Sequence, residues 1–467
     1  MKKFVLLLWL LVLATGVSTC QDLPAEIRRQ LNAGDEAVLF YPKSVKRFYE
    51  QVGFNPAWIK PQNGAGPAWQ AMLLLDCVLQ YGLAHDDYHP KVLLYDQLHA
   101  ILDTPGKVDI SQQARFDILL TDAIITLVNN LHFGKLNPEF PAAGIDAGNM
   151  NSFRAEATLQ LALQQKKGYS FLATVESVQP KSKAYQDLQH RMRLVTGLYT
   201  GDCYEVPERD IRIMAINLER LRWANMVDSS YIQVNIPAYT LQFVRPDTTY
   251  TFRVAVGKAG SPTPAFNSAI SYLTTAPDVV LLQDVFRNTI LPNALKDSNY
   301  LRDNHIAIYD KKGKFIVVDK MTLADIAEHP GDYRARHGSG CDLGQGDLAF
   351  HLSNSSKTDL HDMPKTDFFN QNDRAITTGC IWVDDAEKLA TLMLKHDGRE
   401  NEAAILRKAM SSYKRKTFIL QKQVPLKVTY LTCAVKNGEL IFHKDIYNLD
   451  KSLEMALYNV KQNLVMR

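Results

Sequence analysis

The chain has 467 residues, 46% of them hydrophobic and 22% charged, with 53 lysines and arginines against 50 aspartates and glutamates. That length suffices for two or three domains with a sizeable core. So even a balance argues against nucleic acid as a partner, since that calls for a concentrated basic surface, while the net charge of +3 would suit an anionic polymer.

Residues 1–20 read as an export signal: Lys2 and Lys3 precede the apolar run FVLLLWLLVLATGV, and small residues follow. Fourteen apolar residues are too few to span a bilayer as a helix, which takes about 20. The mature chain is therefore expected in the periplasm or cell envelope. Cys20 follows Val17, Ser18 and Thr19, which approaches a lipoprotein processing site but has threonine where glycine, alanine or serine is usual. Both a lipid anchor at Cys20 and simple cleavage stay open. The remaining cysteines, Cys77, Cys203, Cys341, Cys380 and Cys433, lack a framework spacing, so buried free thiols are expected over disulfides.

Residues 38–225 read as a helical scaffold domain. Runs such as WQAMLLLDCVLQYGL, ARFDILLTDAIITLVNNLHF and ATLQLALQQ place apolar side chains three and four apart, broken by Pro and Gly. His85 and His89 have the spacing of a helical metal pair, with Asp86 and Asp87 between them. Gly82 and Pro90 favour a loop there, and no H-E-x-x-H pattern is completed, so neither a metal nor another cofactor is expected.

Beyond Trp223 the pattern changes to period-two alternation, in YIQVNIPAYTLQFV, YTFRVAVGK, HIAIYD, KFIVVD, LAFHLS and VPLKVTYLTCAV, separated by turn-forming PDTT, GKAGSPTP, KKGK and NG. A β-rich domain is expected over 229–450, interrupted at 278–346 by an irregular, partly helical insertion and followed at 451–467 by a C-terminal helix or tail. The fold class is α+β.

Within that domain the stretch 361–383, HDMPKTDFFNQNDRAITTGCIWV, carries the chemistry. His361 and Cys380 lie nineteen positions apart, and Gly379 before the cysteine permits a sharp turn. A thiolate is a strong nucleophile, yet a free cysteine with a pKa of about 8.5 is mostly thiol at neutral pH; a nearby imidazole can take its proton and later return it to a leaving amine. Asp384 and Asp385 read as capping residues for a helix AEKLATLMLKH, which would place Cys380 just ahead of a helix amino end.

The same stretch resembles the active-site motif of YkuD-type L,D-transpeptidases, where a His-Asp-Thr-Pro segment leads to Ser-(His or Ser)-Gly-Cys-hydrophobic-Arg. Here the segments read His361-Asp362-Met363-Pro364 and Thr377-Thr378-Gly379-Cys380-Ile381-Trp382. Phe369, Asp373 and Arg374 between them are similar to the larger, YcbB-like branch. So are FYEQVGFNPAWI and GLAHDDYHP in the helical region, NLERLRW at 217–223, YIQVNIPAY at 231–239, VAVGKAGSPTPAF at 254–266, ISYL at 270–273 and DIYNLD at 445–450.

This resemblance implies a sandwich-like L,D-transpeptidase catalytic domain, with the 278–346 insertion as its lid. It also implies acyl transfer between peptidoglycan stem peptides, donor and acceptor, to give 3→3 cross-links. Cys380 would be the nucleophile and His361 the acid and base. Gly379 with Thr378 would contribute to an oxyanion site, Arg374 would be a substrate contact or a brace to Asp373 or Asp384, and a main-chain carbonyl near Asp362 would orient the imidazole. Thr378 and Trp382 depart from the family pattern; at 382 the departure removes a guanidinium able to grip a carboxylate. The peptidoglycan-binding module that many relatives insert before NLERLRW has no room between Thr200 and Glu208. Hydrolysis or amine exchange through the same thioester, and a catalytically silent wall-binding protein, are the alternatives.

Overall fold

A computed structural model of the protein describes residues 22–33, 39–59, 66–164, 170–197, 208–224, 228–277, 279–304, 306–311, 315–316, 318–337, 348–354, 358, 360–362, 369–377, 379–412 and 414–458. The export segment, Cys20, Cys203, Cys341 and Thr378 lie outside them. Two units result: Met1–Asn225 with Ser452–Arg467, and Met226–Lys451.

The first unit is helical and is built on Ile110–Phe133, opened by Asp109, whose carboxylate accepts the Ser111 amide at 2.9 Å. Among the described residues this is the one helix long and apolar enough to cross a membrane, but its most apolar window is 94% buried within the protein, which makes it a core helix. Two aspartates on it are buried because they replace water with main-chain amides. Asp117 accepts from Tyr49 Oη at 2.6 Å and from the Ala57, Trp58 and Ile59 amides, and Asp122 accepts from the Phe40 and Tyr41 amides. Burial pushes the Asp117 carboxyl up, against the pull of those bonds. His85 starts a short 3-10 turn, and His89 turns away from it to pair with Asp122 at 2.7 Å. Cys77 is exposed at the end of the helix Pro67–Asp76, contrary to the burial expected of it, because it lies one turn after exposed Leu73, on the outward side from the buried Leu74, Leu75 and Val78. Cys433 is buried, as expected of it.

The second unit contains all the strands among the described residues: β1 (Tyr231–Asn235), β2 (Thr240–Val244), β3 (Thr249–Gly257), β4 (Phe266–Thr275), β5 (Val279–Val280), β6 (Ile306–Asp310), β7 (Phe315–Ile316), β8 (Tyr333–His337), β9 (Leu348–Leu352), β10 (Leu360–Asp362), β11 (Ala375–Thr377), β12 (Ile381–Val383), β13 (Lys416–Thr429), β14 (Cys433–Lys436) and β15 (Glu439–Phe442). Nine of them form one sheet in the order β11-β3-β12-β10-β9-β4-β13-β1-β2, and β2 pairs back onto β3. The expected sandwich-like layering thus takes the form of a sheet closed on itself, which leaves few edges to protect. Its inner side is filled by Ile232, Val234, Leu241, Val254, Leu360 and Ile381, and Leu389, Met393 and Leu394 of the helix Ala386–His396 join that core.

Residues 276–347 leave and rejoin this sheet at paired positions, Thr275 opposite Leu348, so the insertion interrupts no hydrogen bonds. It is more regular than its sequence suggests. Within it β5, β8, β6 and β7 form a separate four-stranded antiparallel sheet, with a core of its own around Phe286, Ile290, Leu291, Ile308, Leu323 and Ile326.

Candidate active site

β10 lies between β9 and β12 and runs parallel to β12, with Leu360 opposite Ile381, His361 opposite Trp382 and Asp362 opposite Val383. Burial alternates along these short strands: Leu360, Ile381 and Val383 are in the core, whereas His361, Cys380 and Trp382 are half-buried. With side chains alternating at period two, the His361 imidazole and the Trp382 indole share one face of the sheet, and Cys380 sits two positions ahead of Trp382, just before β12 begins. The His361 and Trp382 rings are 6.2 Å apart and tilted by 54°.

The imidazole is oriented by main chain. His361 Nδ1 lies 2.8 Å from Asp362 O, and a carbonyl oxygen only accepts, so Nδ1 carries the proton and Nε2 is left as the basic nitrogen. The Asp362 side chain has another task, accepting the Leu348 amide at 2.9 Å where β9 begins.

A second set of bonds fixes the cysteine. Gly379 has φ +105°, a conformation that disfavours any side chain. Thr377 Oγ1 accepts the Gly379 amide at 3.3 Å and donates to Cys380 O at 2.6 Å. From the other side Thr263 Oγ1 donates to Gly379 O at 3.0 Å and accepts the Gly257 amide at 2.8 Å. Tyr447 Oη accepts the Thr263 amide at 3.1 Å and donates to Gly257 O at 2.5 Å. The turn after β3 folds so tightly over Gly257 that a Cβ there would come within 2.2 Å of Ser261 O. Gly257, Thr263 and Tyr447 were not singled out as site residues from the sequence. Their signal was membership of the segments 254–266 and 445–450, whose reason is this brace.

Two expectations are corrected. Cys380 does not precede a helix amino end: Ile381–Val383 is β-branched and aromatic, forms β12, and pairs with both β10 and β3 before the helix starts at Ala386. Asp385 at that helix's start makes no side-chain cap and has φ +55°, and Asp384 instead holds Arg253 at 2.7 Å. Arg374 braces neither Asp373 nor Asp384. Its guanidinium donates to Val254 O, Gln371 O and Tyr239 O at 3.1, 2.7 and 3.1 Å, so three of its five N–H groups tie main chain together. Asp373 accepts from Tyr239 Oη and the Ala375 amide, which hold its carboxyl below the usual range. Trp382 packs with Ala255, Phe369 and Ile376, an apolar wall beside the imidazole.

Together these features define an α+β protein whose closed sheet carries an oriented imidazole on β10 and a thiol just ahead of the neighbouring β12. A family model described as "Scaffold domain" matches residues 43–192. Over 252 residues the chain is 29% identical to a protein of Haemophilus influenzae named "Putative L,D-transpeptidase", a match covering 53% of this chain and 50% of that protein. The chain therefore spans about half the length of the curated relative it matches. Both matches bear out the resemblance to YcbB-like L,D-transpeptidases.

Proposed function

We propose that the protein is a cysteine-dependent L,D-transpeptidase that forms 3→3 cross-links in peptidoglycan. The observation that supports this most directly is the His361 ring, held by Asp362 O with Nε2 left basic, on a strand that pairs in parallel with the one Cys380 leads into. Nε2 takes the thiol proton as Cys380 Sγ attacks the carbonyl of the third residue of a tetrapeptide stem. The bond to the terminal D-alanine breaks, the imidazolium returns the proton to the departing amine, and a thioester remains. The side-chain amine of a neighbouring stem, most naturally diaminopimelate, then attacks the thioester. It gives its proton to Nε2, and the thiolate leaves. The Cys380 amide, and the Gly379 amide once released from its long bond to Thr377, are the oxyanion donors in this scheme. Thr378 is kept as a neighbouring contributor and Arg374 as a brace. Export to the periplasm or envelope, with Cys20 cleaved off or lipidated, places the enzyme with its substrate.

Incubation of the purified protein with disaccharide-tetrapeptide, followed by intact-mass spectrometry and product analysis, tests this reading. The wild type is expected to gain an acyl adduct and yield 3→3 dimers, and Cys380→Ala neither, with its melting temperature unchanged. Turnover retained in Cys380→Ala defeats the mechanism. Released D-alanine without dimers assigns the hydrolytic alternative, which the apolar wall at Trp382 in place of a carboxylate-gripping arginine keeps in view.

A further inference from the structure

The insertion holds a cavity of about 700 Å³, within the range of small-molecule sites. Its walls come from the helices Leu291–Lys296 and Tyr300–Asp303, from β6 and β7, and from the start of the helix Lys320–Glu328. Buried Ala294, Ile308 and Leu323 line it where it meets the insertion's core. Half-buried Leu301, Ile316 and Val318 continue the apolar lining outward.

Charge in the lining is one-sided. Lys296, Arg302 and Lys320 are all exposed in it, against the single carboxylate of Asp319. That carboxylate is committed: Asp319 Oδ1 accepts the Thr322 amide and hydroxyl, both at 2.7 Å, as the cap of its helix. Arg302 holds Asp303 in a pair open to solvent, and among the described residues no carboxylate pairs with Lys296 or Lys320. A recess whose lining is about half apolar, with two unpaired ammonium groups, selects for shape and charge together, because an apolar body excludes water while an acidic head meets the lysines.

We infer that the insertion is a ligand-binding module whose cavity takes an amphipathic anion, a narrow apolar chain ending in a carboxylate or phosphate. This goes beyond the cysteine chemistry and does not rest on it. Titration calorimetry of the purified protein below the micellar concentration tests it with decanoate, decyl phosphate and decyltrimethylammonium. Saturable 1:1 binding of the anions is expected, the tighter of the two showing whether the natural head is a carboxylate or a phosphate. K296E/K320E changes only exposed side chains and is expected to weaken that binding roughly tenfold or more, as is Val318→Asp, with melting temperatures retained. No binding of either anion overturns the inference. So does equal binding of the cationic amphiphile, or an affinity in K296E/K320E within about twofold of wild type.

Discussion

Thr263 is buried, accepts the Gly257 amide and gives its hydroxyl proton to Gly379 O, so one side chain ties the turn after β3 to the residue that precedes the thiol. Thr263→Val preserves the shape and leaves the buried Gly257 amide and the half-buried Gly379 carbonyl without this partner, the buried amide alone costing about 1–3 kcal/mol. A stability loss of about 2 kcal/mol is expected in denaturant unfolding, together with a fall of roughly tenfold or more in the rate of adduct formation, because Gly379 at positive φ loses its restraint. Thr263→Ser keeps the hydroxyl and should recover most of both; an unchanged adduct rate in Thr263→Val would mean the brace is only structural. The contrast with His361 and Cys380 shows what was legible at this scale. Reactive groups announce themselves by residue type, whereas a threonine that positions them looks like any loop threonine until the turn over Gly257 brings it alongside.

Elements were legible where their period was long. The helix Ile110–Phe133 and the alternation of β1 to β4 follow from apolar spacing, but β12 has three residues, too few to show a period, and its place in the sheet comes from partners far along the chain. Misreading Asp384 and Asp385 as caps has the same origin, since the ion pair of Asp384 with Arg253 spans 131 positions. The first described helix, Leu23–Asn32, offers an element-scale test. Its Gln30 reaches Ser111 O at 2.9 Å, and the hydrogen bond from Arg29, then that from Gln30, hold the Glu26 carboxyl down from 4.5 to about 2. A depressed carboxyl contributes stability that is present above its unfolded pKa and lost as pH falls from about 4.5 through about 2. Because Arg29 is 64% exposed, solvent screening reduces the contribution to about 1 kcal/mol. Glu26→Gln should therefore be less stable than wild type by about that amount at neutral pH, with the gap closing toward pH 2 in thermal melts across that window. A gap independent of pH would assign the loss to packing instead.

At the scale of the whole molecule, the insertion is where the sequence was least informative, since its short strands pair only with one another and its helices are three to nine residues long. Its attachment makes a specific deletion possible. Thr275 and Leu348 are antiparallel partners, so replacing 276–347 by Asn-Gly would close a two-residue hairpin between β4 and β9 without disturbing β10. The insertion's apolar side chains have their own cluster, separate from the one that fills the closed sheet, so the shortened chain should keep a cooperative unfolding transition. Chemistry should respond differently. If the insertion covers the thioester and keeps water from it, as proposed for a lid, the deletion should leave Cys380 able to acylate while shifting product from 3→3 dimer toward hydrolysed tripeptide by roughly tenfold. Chromatography of products from equal amounts of adduct measures that ratio. An unchanged ratio would remove the lid from the mechanism and leave the insertion as a separate binding module, whereas loss of acylation from a folded deletion variant would make it part of the donor site.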